Sequence, residues 1–184
     1  GSVSVPLKVE HRVHHMLQDA AEQLSGADYA LANLETPLAG GPDYSGYPTF
    51  NAPDSLASDL RAAGFDLLST ANNHSRDKGM NGIYRTLDVL DEAGLDHVGT
   101  YRSQEERDEN SGIHVADVGG ISVAFLSYTY GLNGFRLDSD KMYAVNLFNL
   151  DYYTTLANPD YELLEADLAA ARALDTDLIA VMVH

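Results

Sequence analysis

The sequence lacks cysteine and has no long apolar run. Without cysteine, disulfide bonds, thiolate zinc sites and cysteine nucleophiles are all excluded. No stretch of about 18 apolar residues occurs, so no segment is predicted to cross a bilayer as a helix. A secretory signal peptide is not visible either. We therefore expect no transmembrane segment in this chain.

Positive charge is scarce, with 11 Lys and Arg against 28 Asp and Glu and a formal net charge of -17. Nucleic-acid binding needs basic surface that neutralises phosphates, so we expect no nucleic-acid partner. Simple electrostatic attachment to anionic lipid is disfavoured for the same reason. A polyanionic substrate would be repelled at long range unless a bound cation reversed the local field.

The chain has 184 residues, of which 45% are hydrophobic, enough for one domain with its own core. Helical and strand patterns alternate along it, and one hairpin is inserted, with Gly119-Gly120 as its turn. This order favours an α/β fold with a largely parallel sheet and an antiparallel part, as a single domain over residues 1–184. Helices are predicted over 11–24, 53–64, 82–93, 103–110 and 161–174, and strands over 27–33, 65–71, 95–99, 113–118, 121–127 and 177–183.

Two segments show no clear periodicity. Residues 38–52 are rich in glycine and proline and are predicted to form a loop, with Tyr44, Tyr47 and Phe50 packing it down rather than walling a pocket. Residues 128–158 contain several tyrosines, glycines and asparagines. An irregular segment of that length is unusual inside a compact domain and is often functional.

Polar groups follow three of the predicted strands. They are Asn33-Leu34-Glu35, Asn72-Asn73-His74 and His184. If these strands are parallel neighbours, their carboxyl ends meet at one edge of the sheet, where ligands bind in open α/β folds. Each group has a simpler explanation, since asparagine is common in turns and a lone glutamate is usually a surface carboxylate. Together they favour a site over a turn.

The chemistry of the three groups points to metal ions. Carboxylate, amide oxygen and imidazole are the ligands that a two-metal site for phosphoester-type hydrolysis would use. One carboxylate could bridge two cations. A nearby histidine that is not a ligand could protonate a leaving group.

The motifs resemble those of a known family, the CapA proteins. These are bacterial poly-γ-glutamate capsule biosynthesis proteins within the calcineurin-like metallophosphoesterase superfamily. The similar stretches are 27–37, 65–74 with Asp77 and Gly79, 99–101 and 181–184. The resemblance implies a calcineurin-like metallophosphatase-type β-sandwich flanked by helices. It also implies a place in the cell envelope, on the extracellular face of the membrane, with an envelope polymer or capsule assembly components as partners.

The resemblance also implies roles for four motif residues and leaves Asn33 near the site without an assigned role. Glu35 would be a bridging metal ligand, Asn73 and His184 further ligands, and His74 the proton donor. The cofactors would be two divalent ions, with Mn, Fe, Zn and Mg all open. The activity implied is metal-dependent hydrolysis of an envelope polymer or a phosphoester.

The sequence departs from the family pattern at both ends. No Gly-Asp pair precedes His11, and the Trp-Gly and Gly-His segments of the family would follow position 184. We therefore expect a domain incomplete at both ends, with weak metal binding, no activity alone and exposed sheet edges that allow homo-oligomers to form. The alternative function is a non-catalytic binding or scaffolding component of capsule assembly, which the tyrosine-rich stretch 128–153 would suit.

Overall fold

A computed structural model describes residues 23–184 of the chain. The predicted first helix over 11–24 therefore lies almost wholly outside the described residues. Residues 23–25 are helical, and that helix ends just before Gly26. Gly26 follows it directly, and glycine is common at the end of a helix.

Strands and helices alternate in the described part, which confirms the α/β class. The strands are β1 (Leu31–Asn33), β2 (Leu67–Ser69), β3 (Asp96–Val98), β4 (His114–Val118), β5 (Ile121–Tyr128) and β6 (Leu178–Val183). The helices are α1 (Ser55–Ala63), α2 (Gly79–Ala93), α3 (Gln104–Glu109) and α4 (Tyr161–Ala173), with a 3-10 helix over Ser139–Ala144. Several strands are shorter than the apolar runs that predicted them.

The strands form two sheets rather than one. The first has the order β1-β2-β3 and is entirely parallel, with Asn33 opposite Ser69. The second has the order β4-β5-β6, in which β4 and β5 form the predicted antiparallel hairpin and β6 runs parallel to β5. The residue pattern alone predicted a single largely parallel sheet, and the structure corrects this.

The two sheets pack against each other through apolar side chains. Leu67 and Val98 of the first sheet form one cluster with Val123 and Phe125 of the second. Burial of these side chains supplies the main force that holds the sheets together. A buried hydrogen bond of 2.6 Å between Ser69 Oγ and a hydroxyl of β5 adds a polar link across the same interface.

Helices α1 and α2 cover the first sheet. Leu60 and Leu90 pack with Leu68 of β2 in a second core cluster. Each helix ends at a glycine in the left-handed region, Gly64 with φ +105° and Gly94 with φ +70°, as the sequence predicted. Within residues 23–184, none of the helices is both long and apolar enough to traverse a bilayer.

Strand β6 is more exposed than its sequence predicted. Its run of apolar residues indicated a buried strand, but Val181 and Val183 are 44% and 65% exposed. β6 is an edge strand of the second sheet, and α4 covers it only around Ile179. Ala180 and Met182 face the cluster between the sheets. The prediction of a buried strand is therefore wrong for one of its faces.

The irregular segment 128–158 is packed rather than loose. Leu132, Leu137, Val145 and Tyr152 are buried together. They enclose Ala71, which lies in the crossover after β2. The segment therefore holds the stretch that carries Asn73 and His74, without forming regular structure beyond the 3-10 helix.

A histidine on β4 should make stability depend on pH. Burial lowers the pKa of His114, against the opposing effect of Asp96 and with a smaller lowering by His97. The unfolded chain then binds more protons than the folded chain below the ordinary histidine pKa of about 6.5, so stability falls as the pH drops through and below that value. We expect urea unfolding to show this loss, and the variant His114→Gln to reduce it. An unchanged pH dependence in the variant would contradict the assignment.

Candidate functional site

The carboxyl ends of β1, β2 and β6 come together at one end of the molecule. Glu35 lies two residues beyond β1, Asn73 and His74 follow β2, and His184 directly follows β6. The sequence predicted this meeting for neighbouring strands of one sheet. In the structure, β6 belongs to the second sheet. Its carboxyl end still lies beside those of β1 and β2, because the carboxyl ends of the three strands face the same end of the molecule.

Three potential metal-binding atoms face one another. His184 Nε2 lies 2.8 Å from Asn73 Oδ1 and 3.6 Å from Glu35 Oε1. The side chains of His184 and Glu35 are 30% and 44% exposed, so a solute can reach them. With a proton on Nε2, the imidazole donates to the amide oxygen, and a cation could take the place of that proton.

His74 presents one ring nitrogen to this group and the other to a buried acid. Its Nε2 lies 3.9 Å from Glu35 Oε1, and its Nδ1 lies 2.7 Å from Asp77 Oδ2. The Asp77 side chain is only 1% exposed and also accepts a 2.6 Å hydrogen bond from the Phe50 amide. A proton held on Nδ1 by this carboxylate leaves Nε2 directed at the exposed side of the site.

Asp77 belongs to the motif that follows β2, but no role was predicted for it. The signal was its spacing of three residues from His74, which returns a side chain to the same side of a turn. Phe50 was expected to pack the loop down, and its ring indeed lies 4.4 Å from the His74 ring in an edge arrangement. Through this contact the loop over residues 38–52 also lines the site.

The two adjacent asparagines have different surroundings. Asn72 is 1% exposed, donates to Leu34 O at 2.8 Å and accepts from the His74 amide at 3.1 Å. Its bonds tie the end of β1 to the end of β2. Asn73 instead turns its amide oxygen to His184. Asn33, whose role was left open, accepts from Asn72 at 3.2 Å and lies 3.4 Å from His184 Nδ1.

Sequence reasoning missed one further residue of the site, Asn133. Its side chain accepts a 2.9 Å hydrogen bond from Asn73 Nδ2, and its Nδ2 lies 3.4 Å from both His74 ring nitrogens. Its backbone is left-handed, with φ +51°, a conformation that asparagine tolerates better than most residues. The Asn-Gly pair in the segment 128–158 was the available signal, and it indicates a turn, not a partner for Asn73.

The chemistry of Glu35, Asn73 and His184 fits one divalent ion. Carboxylate, amide oxygen and imidazole nitrogen are all common ligands of such ions. Within residues 23–184, however, no three His, Asp or Glu side chains are arranged as a metal-binding group. The trio depends on an amide for its third ligand, so the described residues offer a partial set of ligands.

Comparison with known proteins identifies the family. A family model described as bacterial capsule synthesis protein PGA_cap matches residues 4–184. The chain belongs to the PGA_cap family. The assignment to the CapA proteins, made from the motifs at the strand ends, is thereby confirmed.

Several proteins are similar to this PGA_cap chain over part of their length. Two uncharacterized proteins of Sinorhizobium fredii (strain NBRC 101917 / NGR234), y4sH and y4uA, are each 32% identical to it over 135 residues, 69% of this chain. The capsule biosynthesis protein CapA of Bacillus anthracis is 29% identical over 121 residues, 62% of this chain. The chain spans about 28% of the length of each of these relatives.

Proposed function

We propose that the protein is a metal-dependent hydrolase of capsule biosynthesis, with calcineurin-like architecture, that acts on an envelope polymer or a phosphoester. The observation that carries the proposal is the meeting of His184, Asn73 and Glu35 within hydrogen-bond or ion-pair distance, with His74 beside them. Membership of a capsule synthesis family supports the choice of substrate and a place in the cell envelope. We extend that place to the extracellular face of the membrane.

Glu35, Asn73 and His184 would hold the metal ion. When bound there, a divalent ion would polarise a substrate oxygen or lower the pKa of a bound water. The three ligands serve one ion, so the expectation of two ions stays a prediction. So does the choice among Mn, Fe, Zn and Mg, because carboxylate, amide and imidazole ligands suit several of them.

His74 would donate the proton that the leaving group needs. Its Nε2 faces the exposed side of the site near Glu35, while Asp77 binds Nδ1 and fixes the ring. A carboxylate in this position stabilises the charged imidazolium and restores the same tautomer after each turnover. Asn133, hydrogen-bonded to Asn73, would hold the amide oxygen toward the metal.

Removing the Glu35 carboxylate should weaken metal binding. We expect Glu35→Gln to raise the dissociation constant for Mn²⁺ or Zn²⁺ by tenfold or more, since a metal ligand is lost where few ligands are available. Isothermal titration of the 184-residue chain measures the change. The matched control is Glu165→Gln, which removes the same charge from the exposed side of α4.

Two results would contradict the proposal. One is Glu35→Gln binding either metal as tightly as the wild-type chain does. The other is hydrolysis by the protein, as encoded in its genome, that continues unchanged in the presence of a chelator. Substrates for that assay are a phosphodiester and a glutamate polymer.

A second candidate function is binding of an envelope polymer without catalysis. Two aromatic residues of the loop that also carries Phe50 favour it, because Tyr44 and Tyr47 are 44% and 86% exposed. The prediction that these tyrosines pack the loop down is therefore wrong for Tyr47, whereas the Tyr44 ring does lie against Gly41 of the loop. Exposed aromatic side chains suit recognition. Polymer binding with no hydrolysis in the presence of any divalent ion would support this candidate over the first.

A further inference from the structure

The turn that carries Asn133 projects into solvent from the packed segment 128–158. Leu132 is fully buried, whereas Asn133 and Gly134 are both exposed. Asn133 has φ +51° and Gly134 has φ +82°, and the Phe135 amide donates a 2.9 Å hydrogen bond to the Leu132 carbonyl. Two central residues with positive φ are typical of a type I′ turn, for which Asn-Gly is a preferred pair. The tip of the turn is therefore exposed, while its base is fixed by packing.

An Asn-Gly pair is also chemically labile, because asparagine in this context deamidates. The backbone nitrogen of the glycine attacks the side-chain Cγ of the asparagine. The bond from Cγ to the side-chain nitrogen breaks, and ammonia leaves with the proton of the glycine N–H. Water then opens the resulting succinimide at either carbonyl, which gives aspartate or isoaspartate. Glycine allows the attack because it has no side chain to obstruct it. Solvent water is the co-reactant, and both products carry one new carboxylate.

The fold leaves the Gly134 nitrogen available for this attack. In the part of the chain that the structure describes, the Gly134 N–H donates to no protein acceptor. A Cβ placed on Gly134 would meet no heavy atom within 4 Å, so the space around this residue is open. The Asn133 side chain must release its 2.9 Å contact with Asn73, which is itself exposed to water. The reaction therefore needs rotation within an exposed turn and no opening of regular structure.

A second Asn-Gly pair, Asn81-Gly82, lies in a contrasting environment. It is part of α2, where Gly82 is buried and its amide donates to the Lys78 carbonyl at 3.2 Å. Attack by this nitrogen requires the helix to open locally, which makes deamidation slow there. The chain thus contains the same labile pair twice, once protected by a helix and once exposed in a turn.

The exposed pair lies beside the proposed metal-binding residues. Asn133 Oδ1 accepts a hydrogen bond from Asn73, and Asn133 Nδ2 lies 3.4 Å from both ring nitrogens of His74. A carboxylate at this position cannot donate a hydrogen bond, but it adds negative charge next to an amide that would bind the ion. Negative charge close to the partial set of ligands, Glu35, Asn73 and His184, attracts a divalent cation.

We propose that Asn133 deamidates spontaneously through attack by the Gly134 nitrogen, and that the carboxylate formed strengthens binding of a divalent ion at the neighbouring site. The effect on the ion rests on the proposed function, whereas the modification itself does not. The protein would in this way change the charge of its own site with age, without another enzyme.

Peptide mapping by tandem mass spectrometry tests the modification. The folded 184-residue chain is incubated in mildly alkaline buffer and sampled over time. We expect deamidation at Asn133 to be about tenfold or more faster than at Asn81, because the helical pair reacts only after local opening. In concentrated urea, where α2 is unfolded, the two rates should become similar. The acidic species that separates on anion exchange should be absent from Asn133→Gln, since glutamine closes the corresponding ring much more slowly.

Titration with Mn²⁺ tests the effect on the site. Asn133→Asp imitates one of the two products, and we expect it to bind Mn²⁺ a few fold more tightly than the wild-type chain. The matched control is Asn81→Asp, which adds the same charge at an exposed position of α2 and should leave Mn²⁺ binding unchanged.

Equal rates at Asn133 and Asn81 in the folded chain would overturn the proposed modification. Binding of Mn²⁺ by Asn133→Asp that is no tighter than by Asn81→Asp would overturn its effect on the site. Absence of Mn²⁺ binding to the wild-type chain and to both variants would overturn the proposed metal site together with this effect. The mass spectra would still decide the modification, so the two failures can be told apart.

Discussion

Replacing His74 with alanine is expected to lower kcat for metal-dependent hydrolysis by about 10²- to 10⁴-fold, the usual contribution of a positioned acid or base. The expectation follows from the ring's position, with Nε2 3.9 Å from Glu35 and Nδ1 2.7 Å from Asp77. Steady-state kinetics of the protein as encoded in its genome would measure the loss. Far-UV circular dichroism of the variant would check that it remains folded.

The choice of leaving group separates proton donation from a structural effect. A nitrophenyl ester leaves without a proton, so His74→Ala should lose much less activity on it than on an alkyl ester. The activity of Asp77→Asn should lie between those of His74→Ala and the wild type, because the imidazole ring remains but its tautomer is no longer fixed. His97→Ala, which removes a histidine bonded to Asp91 on the surface, is the control. Equal losses on both esters would contradict the role of His74.

Replacing Asp167 with alanine is expected to cost about 3–5 kcal/mol of unfolding free energy, because it removes the buried carboxylate that pairs with Arg107, whose side chain is only 13% exposed. Asp167 lies on α4 and is 5% exposed. It accepts two hydrogen bonds from Arg107 Nη2, at 2.8 and 3.1 Å, and one from the Tyr128 hydroxyl at 2.8 Å. Burial, and after it the nearby Asp167 carboxylate, raise the pKa of Tyr128. The change therefore leaves one buried donor, the Tyr128 hydroxyl, and one partly buried donor, Arg107 Nη2, without this acceptor.

A surface pair of the same type provides the control for this stability effect. Asp54 and Arg85 form a bidentate contact, but their side chains are 44% and 41% exposed. Exposed pairs contribute about 0–1 kcal/mol, so Asp54→Ala should cost far less. Urea unfolding followed by circular dichroism gives both values. Similar losses of unfolding free energy in Asp167→Ala and Asp54→Ala would contradict the effect assigned to the burial of Asp167.

The parts of the fold that depend on local chemistry could be predicted from the sequence. Pro53 and Gly64 bounded α1, and Gly119-Gly120 placed the hairpin, because these residues act through their own backbone. The partner strand of β6 could not be predicted in the same way. A run of apolar residues indicates a strand but does not say which sheet it joins, or whether a helix covers both of its faces.

Some residues of the candidate site could likewise be predicted from the sequence, and others could not. Glu35, Asn73, His74 and His184 could be chosen because each follows an apolar run, and the structure brings them together. Asp77 and Asn133 complete the surroundings through contacts that depend on how a turn and a long irregular segment fold. No periodicity marks such contacts. The roles of all six residues remain predictions until the variants are measured.

The distance along the chain between the site's parts has a consequence for biosynthesis. Glu35 and His184 are separated by 149 positions, yet their side chains lie 3.6 Å apart. While the polypeptide leaves the ribosome, β1 and β2 can pair well before His184 has emerged from the exit tunnel. Closing so long a loop is slow compared with pairing of nearer segments. A nascent chain would therefore bring His184 to Glu35 only after translation has passed β6, later than the pairing of β1 with β2.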